Sequence, residues 1–343
     1  MQIKNLESYL DARTFKTYIR AQDHCSQLCA DTQRCVEEYL KEHRLNHANI
    51  CLVAVGSVGR QEALEASDLD IIPVLSSKTT TVDFERHDRA LRERISNDLG
   101  IKVSEGKDLT RFVDIARLTD PDTIGGDEDD SQALTKRILI LLESTQVGGG
   151  YPIRKVREKI LEAYAESERT RGRHVLSLCN DLARYFRTLC IEYKAKVDVQ
   201  SKDWCTRNLK LRHTRKIWYF SCMLSVVSLA QEYTGGEARY FEGLLENFSL
   251  PPILRIAKVT GDSQKMAVSR LLKHYAYFLE FMSQEKHRSA LSKVDHDQRY
   301  DAEIQNPFPG MKFNSDLMHH DMMQIIEGLN LHIRRRVFDW FLL

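Results

Sequence analysis

The chain contains 343 residues, of which 42% are hydrophobic and 29% charged, and its formal net charge is +1 at pH 7. This length is enough for roughly two domains of about 100–200 residues each. The near-neutral charge excludes a global field that would attract nucleic acid or membrane, and the few prolines (7) and glycines (16) argue against long loops and β-sandwiches.

The eight cysteines form no CxxC pair, and several lie among apolar residues of predicted helices or strands. We therefore expect reduced thiols and a cytoplasmic protein. The first residues lack the basic and apolar regions of a secretory signal. The longest apolar run, residues 217–230, is shorter than the roughly 20 residues that a membrane span needs, so we expect no membrane association.

Helical and strand patterns alternate over the first 150 residues. Residues 1–45 carry apolar side chains at helical spacing. The apolar run Ile50–Val55 predicts a strand covered on both faces, and residues 69–75 predict a second strand. An amphipathic pattern over residues 84–99, followed by Gly100, predicts a helix. Further predicted elements are short strands at residues 101–104 and 112–115 and a helix at residues 134–144.

Beyond this region the patterns are helical. Three glycines at residues 148–150 predict a linker, because glycine is costly inside helices. The predicted helices that follow cover residues 153–168, 174–196, 203–233, 236–247, 262–284 and 316–342, with a loop at 285–314. The apolar end of the chain, residues 333–343, predicts either a contact with the helical bundle or a homo-oligomer interface, and both alternatives stay open.

The predicted fold class is therefore α+β. N-terminal helices over residues 1–45 pack on a small mixed-sheet domain at residues 46–150, and an all-helical domain follows at residues 151–343.

Two aspartates on the second predicted strand indicate a metal site. Asp68 and Asp70 are two positions apart, so their side chains point to the same face. Two acids on one face of an apolar strand repel each other unless a cation neutralises them. Mg²⁺ prefers hard oxygen ligands and usually takes one or two carboxylates together with substrate phosphates. We therefore expect Asp68 and Asp70 to bind Mg²⁺ or Mn²⁺.

A Gly-Ser turn precedes these aspartates. Gly56 and Ser57 lie before a predicted helix at residues 59–66, whose first N–H groups and dipole favour a phosphate. The Ser57 hydroxyl can donate a further hydrogen bond. Arg60, in the predicted first turn, either contacts a phosphate or pairs with Glu62. Together the turn and the carboxylates predict a site for a nucleoside triphosphate and a divalent cation.

This arrangement resembles the nucleotidyltransferases of the DNA polymerase β superfamily, in which a Gly-Ser turn precedes an Asp-x-Asp strand. The longer stretch from Gly56 to Asp70, with the Leu-Leu-Glu helix at residues 134–144, is similar to the branch of protein-PII uridylyltransferases and glutamine-synthetase adenylyltransferases. The resemblance spans roughly residues 48–150. It implies a nucleotidyltransferase domain, NTP as substrate, and a third carboxylate on a neighbouring strand.

No hydrophobic-Asp-hydrophobic strand stands out as the source of that third carboxylate. Glu105, directly after the predicted strand 101–104, is the first candidate by position. Asp114 is the second and Asp108 the third. The acidic segment at residues 125–130 either lends a metal ligand or a lid, or is a solvated loop that caps the next helix.

The most basic part of the chain lies in the predicted helical domain, at residues 202–216, and it could contact triphosphate, RNA or an acidic protein surface. A solvated helix face is the alternative. We expect its cations to help bind the nucleotide and select the base or acceptor: Arg207, Lys210 and Arg215, with Arg212 and Lys216.

Arg207-Asn208 and His213 also fit the Arg-polar-x4-His pattern of the helical HEPN ribonucleases, in which an Arg and a His act on the RNA phosphate. A second Arg-x4-His match, Arg169 to His174, shows that the pattern is loose. A buried histidine beside a surface arginine is the alternative explanation.

These observations predict a Mg²⁺-dependent nucleotidyltransferase that moves an NMP from an NTP to a protein side chain. The alternatives are RNA tailing, synthesis of a nucleotide messenger, a catalytically weak NTP sensor, and a ribonuclease in the helical domain.

Overall fold

The structure is a computed structural model that describes residues 3–64, 67–76, 78–126, 132–167, 175–200, 203–230, 237–301 and 303–341. It divides into two compact units. The sheet unit comprises Ala21–Asp181 and Glu237–Pro251, and the helical unit comprises Met1–Arg20, Leu182–Gly236 and Pro252–Leu343.

This division differs from the predicted boundaries after residues 45 and 150. Helix α1 (Ala12–Glu42) contributes residues to both units, and so does α8 (Leu176–Gln200). Two of the four unit boundaries therefore fall inside long helices, at residues 20/21 and 181/182.

Within the described residues, the sheet unit contains four strands: β1 (Ile50–Val55), β2 (Asp70–Leu75), β3 (Val113–Asp114) and β4 (Thr145–Gly148). Their order in the sheet is β3-β2-β1-β4. Strand β1 is antiparallel to both of its neighbours, whereas β2 and β3 are parallel. This small mixed sheet, with helices after it, confirms the predicted α+β class.

The helices of the sheet unit, besides parts of α1 and α8, are α2 (Gly56–Gly59), α3 (Lys78–Glu85), α4 (Asp88–Leu99), α5 (Ile115–Leu118), α6 (Ala133–Leu142), α7 (Ile153–Ser167) and α11 (Glu237–Phe248). The single predicted helix at 84–99 is therefore two helices, and the second ends at Gly100 in the left-handed conformation, as predicted.

One face of the sheet packs against α1 and α4. Leu52 of β1 and Ile71 of β2 join Val36 of α1 and Leu91 of α4 in one buried cluster. Because side chains alternate along a strand, Asp70 points to the opposite face of the sheet from Ile71.

Arg92 of α4 lies at the edge of β2 that faces away from β1. There it connects β2 to the segments that contain Ser104 and Thr110. Its guanidinium donates to the carbonyl oxygens of Ile71 at 3.2 Å, Ser104 at 3.0 Å and Thr110 at 2.9 Å. Its Nε lies 2.8 Å from Asp88 Oδ1. Burial raises the pKa of Asp88, and the Arg92 charge opposes this shift. The pair therefore joins α4 to the edge of the sheet.

The three glycines at residues 148–150 are not a linker. Gly148 ends β4, and Tyr151 N donates to Ile50 O at 3.0 Å. Gly149 has φ of +79°, and a Cβ there would lie 2.0 Å from the Ile50 carbonyl oxygen. Glycine is required here because two backbones approach closely, so the predicted linker is wrong.

The helical unit contains, besides parts of α1 and α8, the helices α9 (Trp204–Lys210), α10 (Lys216–Leu229), α12 (Pro252–Thr260), α13 (Lys265–Ser283), α14 (Glu285–Ser292), α15 (Phe308–Glu327) and α16 (Leu331–Phe341). A π-helical turn, Leu211–Arg215, joins α9 to α10. None of the helices in the described ranges combines the length and apolar character that a membrane-spanning segment requires.

Two details of this unit bear on the predictions. The predicted loop at 285–314 holds α14 and the start of α15, because Pro309 lies in the first turn of α15, where proline is tolerated. Helix α16 packs on α10 through a ring contact of Phe341 with Tyr219 at 6.2 Å. Of the two alternatives for the apolar end, the structure shows the contact with the bundle.

Candidate active site

A left-handed glycine places the end of β1 beside the candidate carboxylates. Gly56 has φ of +70°, a conformation that favours glycine. The antiparallel register pairs Val55 with Asp70. A Cβ added at Gly56 would lie 3.3 Å from Asp70 Oδ2. The structure therefore brings Gly56, the half-buried Ser57 and Asp70 together, as the motif predicts.

The helix after this turn is shorter than predicted. It covers one turn, Gly56–Gly59, instead of residues 59–66. Gln61 adopts φ of +58° and breaks the helical path. A Cβ at Gly59 would lie 2.1 Å from the Glu143 carbonyl oxygen, so the chain is held tightly there. Residues 60–64 are not helical, and residues 65–66 lie outside the described part, so the predicted helix dipole does not act here and a phosphate would have to bind to the turn itself.

The two aspartates share one face of an extended segment. Asp70 opens β2 and is half-buried, whereas Asp68 precedes the strand with a side chain that is 56% exposed. Leu69 between them is buried and forms a parallel bridge with Val103. Alternation along this segment directs both carboxylates away from Leu69.

The donor set suits a hard divalent cation. In the described part of the chain, no group of three or more His, Cys, Asp or Glu side chains is arranged to hold a metal ion. Two carboxylates, completed by substrate phosphates and water, are nevertheless a usual set for Mg²⁺. Asp68 and Asp70 would therefore hold it jointly with a triphosphate.

Arg60 lies in a buried cluster of charges. Its Nε is 2.8 Å from Glu62 Oε2, and its Nη1 is 2.8 Å from Glu143 Oε2. All three side chains are at most 5% exposed. Of the two predicted roles of Arg60, the structure shows the pairing with Glu62, and it adds Glu143 from the end of α6. The predicted phosphate contact would require this cluster to open.

Glu105 points away from the aspartates. Its side chain is 79% exposed and pairs with Lys107 Nζ at 3.0 Å, and this hydrogen bond lowers the pKa of the carboxyl. It lines a cleft with Arg89 and Glu93 of α4, on the sheet face opposite Asp70. The structure therefore does not bring the first candidate for the third carboxylate to the site.

The structure does not show the other two candidates for the third carboxylate, Asp114 and Asp108, at the site. Asp114 caps α5 by accepting from Ala116 N at 2.8 Å, and it pairs with Leu75 at the far end of β2. Leu75 is five positions after Asp70 along β2, a distance on the order of 16 Å. Asp108 begins a 3₁₀ helix, and its side chain lies outside the described part. Residues 127–130, most of the acidic segment at 125–130, also lie outside the described residues.

Two residues near the site were missed by sequence reasoning. Lys102 Nζ lies 3.3 Å from Asp68 Oδ2. Its signal was available, since it belongs to the predicted strand 101–104. Glu143 could have been suspected as a lone acid at the end of an apolar helix, but its partner Arg60 is 83 positions away in sequence.

The predicted nucleotide-binding cations Arg207, Lys210 and Arg215 belong to the helical unit, on α9 and the π-helical turn. Lys210 is exposed and the two arginines are half-buried. Their contact with a triphosphate stays a prediction.

His213 is fully buried, which argues against the ribonuclease alternative. Its Nδ1 donates to Leu209 O at 2.8 Å, and its Nε2 accepts from Asn314 Nδ2 at 3.2 Å. Its ring stacks on Phe278 with centroids 4.0 Å apart. Burial lowers the pKa of His213 to about 3. The imidazole is therefore neutral at pH 7 and has no access to an RNA phosphate.

Comparison with known proteins gives one match. Residues 13–106, about a quarter of the chain, match the model of the family described as "Putative nucleotidyltransferase DUF294". The match includes the Gly-Ser turn and both aspartates. It supports a nucleotidyltransferase and does not distinguish the branch predicted from the sequence. No curated protein and no solved structure gives a significant match to the chain.

Proposed function

We propose that this protein is a Mg²⁺-dependent nucleotidyltransferase that moves an NMP from an NTP to an acceptor, which we infer to be a protein side chain. The observation that carries the proposal is the approach of Gly56 to Asp70: a Cβ on the glycine would be 3.3 Å from the carboxylate. A phosphate bound at the turn and a cation bound by the carboxylate would therefore be adjacent. The family match over residues 13–106 supports the same reaction class.

Each side chain has a definite task in this proposal. The backbone of the Gly56 turn and the Ser57 hydroxyl donate hydrogen bonds to phosphate oxygens of the NTP. Asp68 and Asp70 hold the cation from one face of the strand. When bound, Mg²⁺ would neutralise charge on the triphosphate. The acceptor's nucleophilic atom would then form a bond to the α-phosphorus as the α–β phosphoanhydride bond breaks and pyrophosphate leaves. The acceptor preference rests on the resemblance to enzymes that modify proteins.

The reaction can be tested by incubating the protein with Mg²⁺ and each α-³²P-labelled NTP, alone and with host lysate or RNA. The test variant is Asp68→Asn/Asp70→Asn, and the control is Asp83→Asn, which changes an exposed carboxylate on α3. We expect label on a protein band for the wild type and the control, and none for the double variant. Label that nuclease removes would indicate RNA tailing, and a labelled small molecule would indicate messenger synthesis.

A second candidate function is an NTP sensor with weak or no turnover. The observation that favours it is the position of Glu105, which lies on the opposite sheet face from Asp70. The sensor predicts NTP binding that depends on Asp68 and Asp70 without label transfer to any acceptor. Absence of both binding and transfer would contradict both functions.

A further inference from the structure

The segment 102–104 runs parallel to the aspartate segment. Leu69 N donates to Lys102 O at 2.9 Å, and Ser104 N donates to Leu69 O at 3.0 Å. Residues at matching positions of parallel strands point to the same face. Lys102 therefore lies beside Asp68 and shares its face. Ser104 lies beside Asp70, but its hydroxyl contacts Arg92 of α4, on the other face of the sheet.

Of these two neighbours, Lys102 is the one whose polar group faces the site. The Ser104 hydroxyl accepts from Ile71 N at 3.2 Å and from Arg92 Nη1 at 3.0 Å, so it serves the sheet edge. The Lys102 ammonium lies 3.3 Å from Asp68 Oδ2, and the two side chains are 79% and 56% exposed. Among the described residues, Asp68 is the ion-pair partner of this cation, and the pair is exposed to solvent.

We propose that Lys102 is a positioning residue of the nucleotidyl-transfer site, with two successive contacts. Without a divalent cation, its ammonium holds the Asp68 carboxylate. When the cation takes the carboxylates, the lysine is released and contacts an anionic oxygen of the triphosphate. This inference rests on the proposed function, and it involves no covalent step.

The two contacts have effects of opposite sign. Because the cation must displace Lys102 from Asp68, removing the ammonium should tighten metal binding. An exposed ion pair shifts such an equilibrium by about 1.4- to 5-fold. Because the ammonium then binds the triphosphate, the same change should weaken nucleotide binding by a similar or larger factor.

Lys107 provides a matched control for the loss of charge. It is 77% exposed and pairs with Glu105, but on the other face of the sheet. Lys107→Met removes the same charge from the same loop without touching Asp68. Lys102→Arg keeps the cation and should behave like the wild type.

Mn²⁺ binding measured by electron paramagnetic resonance without nucleotide tests the first contact. We expect Lys102→Met to bind Mn²⁺ about 1.4- to 5-fold more tightly than the wild type, and Lys107→Met to be unchanged. Binding of the α,β-methylene analogues of ATP, GTP, CTP and UTP at saturating Mn²⁺, followed by calorimetry, tests the second contact. We expect Lys102→Met to weaken the tightest analogue at least about threefold.

Equal or weaker Mn²⁺ binding by Lys102→Met would overturn the inference, and so would equal effects of the two methionine variants. Neither readout requires turnover. If the opposite shifts appear but no acceptor is ever labelled, the role of Lys102 in binding stands and the transferase proposal fails. If Asp68→Asn/Asp70→Asn leaves Mn²⁺ binding unchanged, both fail.

Discussion

Replacing Arg60 by methionine separates a structural role from a phosphate-binding role. The guanidinium is 5% exposed and lies 2.8 Å from the carboxylates of both Glu62 and Glu143, which are 2% and 1% exposed. The variant leaves two buried carboxylates without this cation. Breaking one buried pair costs about 3–5 kcal/mol. We therefore expect Arg60→Met to lower the free energy of unfolding by at least about 3 kcal/mol.

Urea denaturation followed by circular dichroism measures this loss. The control is Arg89→Met, because the Arg89–Glu93 pair is 91% and 59% exposed, and an exposed pair contributes little to stability. Adding Glu62→Gln and Glu143→Gln to Arg60→Met should recover part of the stability, since the buried negative charges disappear. An Arg60→Met protein with unchanged stability and a raised KM for NTP would refute the structural role and support phosphate binding.

Three further predictions follow from buried positions. Gly59→Ala should cost about 1–3 kcal/mol, because its Cβ would lie 2.1 Å from a backbone oxygen; an unchanged melting temperature would contradict this. Arg92→Met should lower the free energy of unfolding, measured by urea denaturation, by about 3–5 kcal/mol, because the buried Asp88 loses its ion-pair partner. A loss below about 1 kcal/mol, as for an exposed pair, would contradict this role of Arg92 at the sheet edge. The pKa of His213 is depressed to about 3, so its contribution to stability is present above pH 6.5 and is lost as pH falls toward 3. The loss of stability from His213 between pH 7 and pH 5 is about 2 kcal/mol. Because this loss comes from the buried imidazole, the free energy of unfolding of His213→Gln should fall less over that interval than that of the wild type.

The parts of the fold that sequence predicted well depend on local signals. Strand β1 has the predicted bounds Ile50–Val55 because an uninterrupted apolar run ends at Gly56. The pairing of the turn with Asp70 follows from an antiparallel connection of only 14 residues, which leaves few alternatives for the register. The apolar run and the short antiparallel connection were therefore enough to predict the central part of the candidate site from the sequence.

The parts that sequence did not predict depend on distant partners. Its position after the predicted strand 101–104 made Glu105 the first candidate for the third carboxylate. The parallel bridge between Leu69 and Val103 instead places Lys102 on the face of the aspartates. The glycines at 148–150 suggested a linker, because composition cannot show that another backbone, at Ile50, passes within contact distance. Such information exists only once the strands are assembled.

The Gly-Ser-x-Gly-Arg-x-Glu stretch therefore contains two groups of residues with different roles. In its first half, Gly56 lies beside Asp70 and Ser57 follows it, and the proposed phosphate contacts belong to these two residues. Its second half holds the turn in place, because Gly59 admits the close approach of the chain at Glu143 and Arg60 ties the turn to that residue's carboxylate. A chain that kept the second half but lost Asp68 and Asp70 would still form the turn. A match to the whole stretch thus indicates the fold. The proposed reaction depends on the two aspartates, with Lys102 beside them.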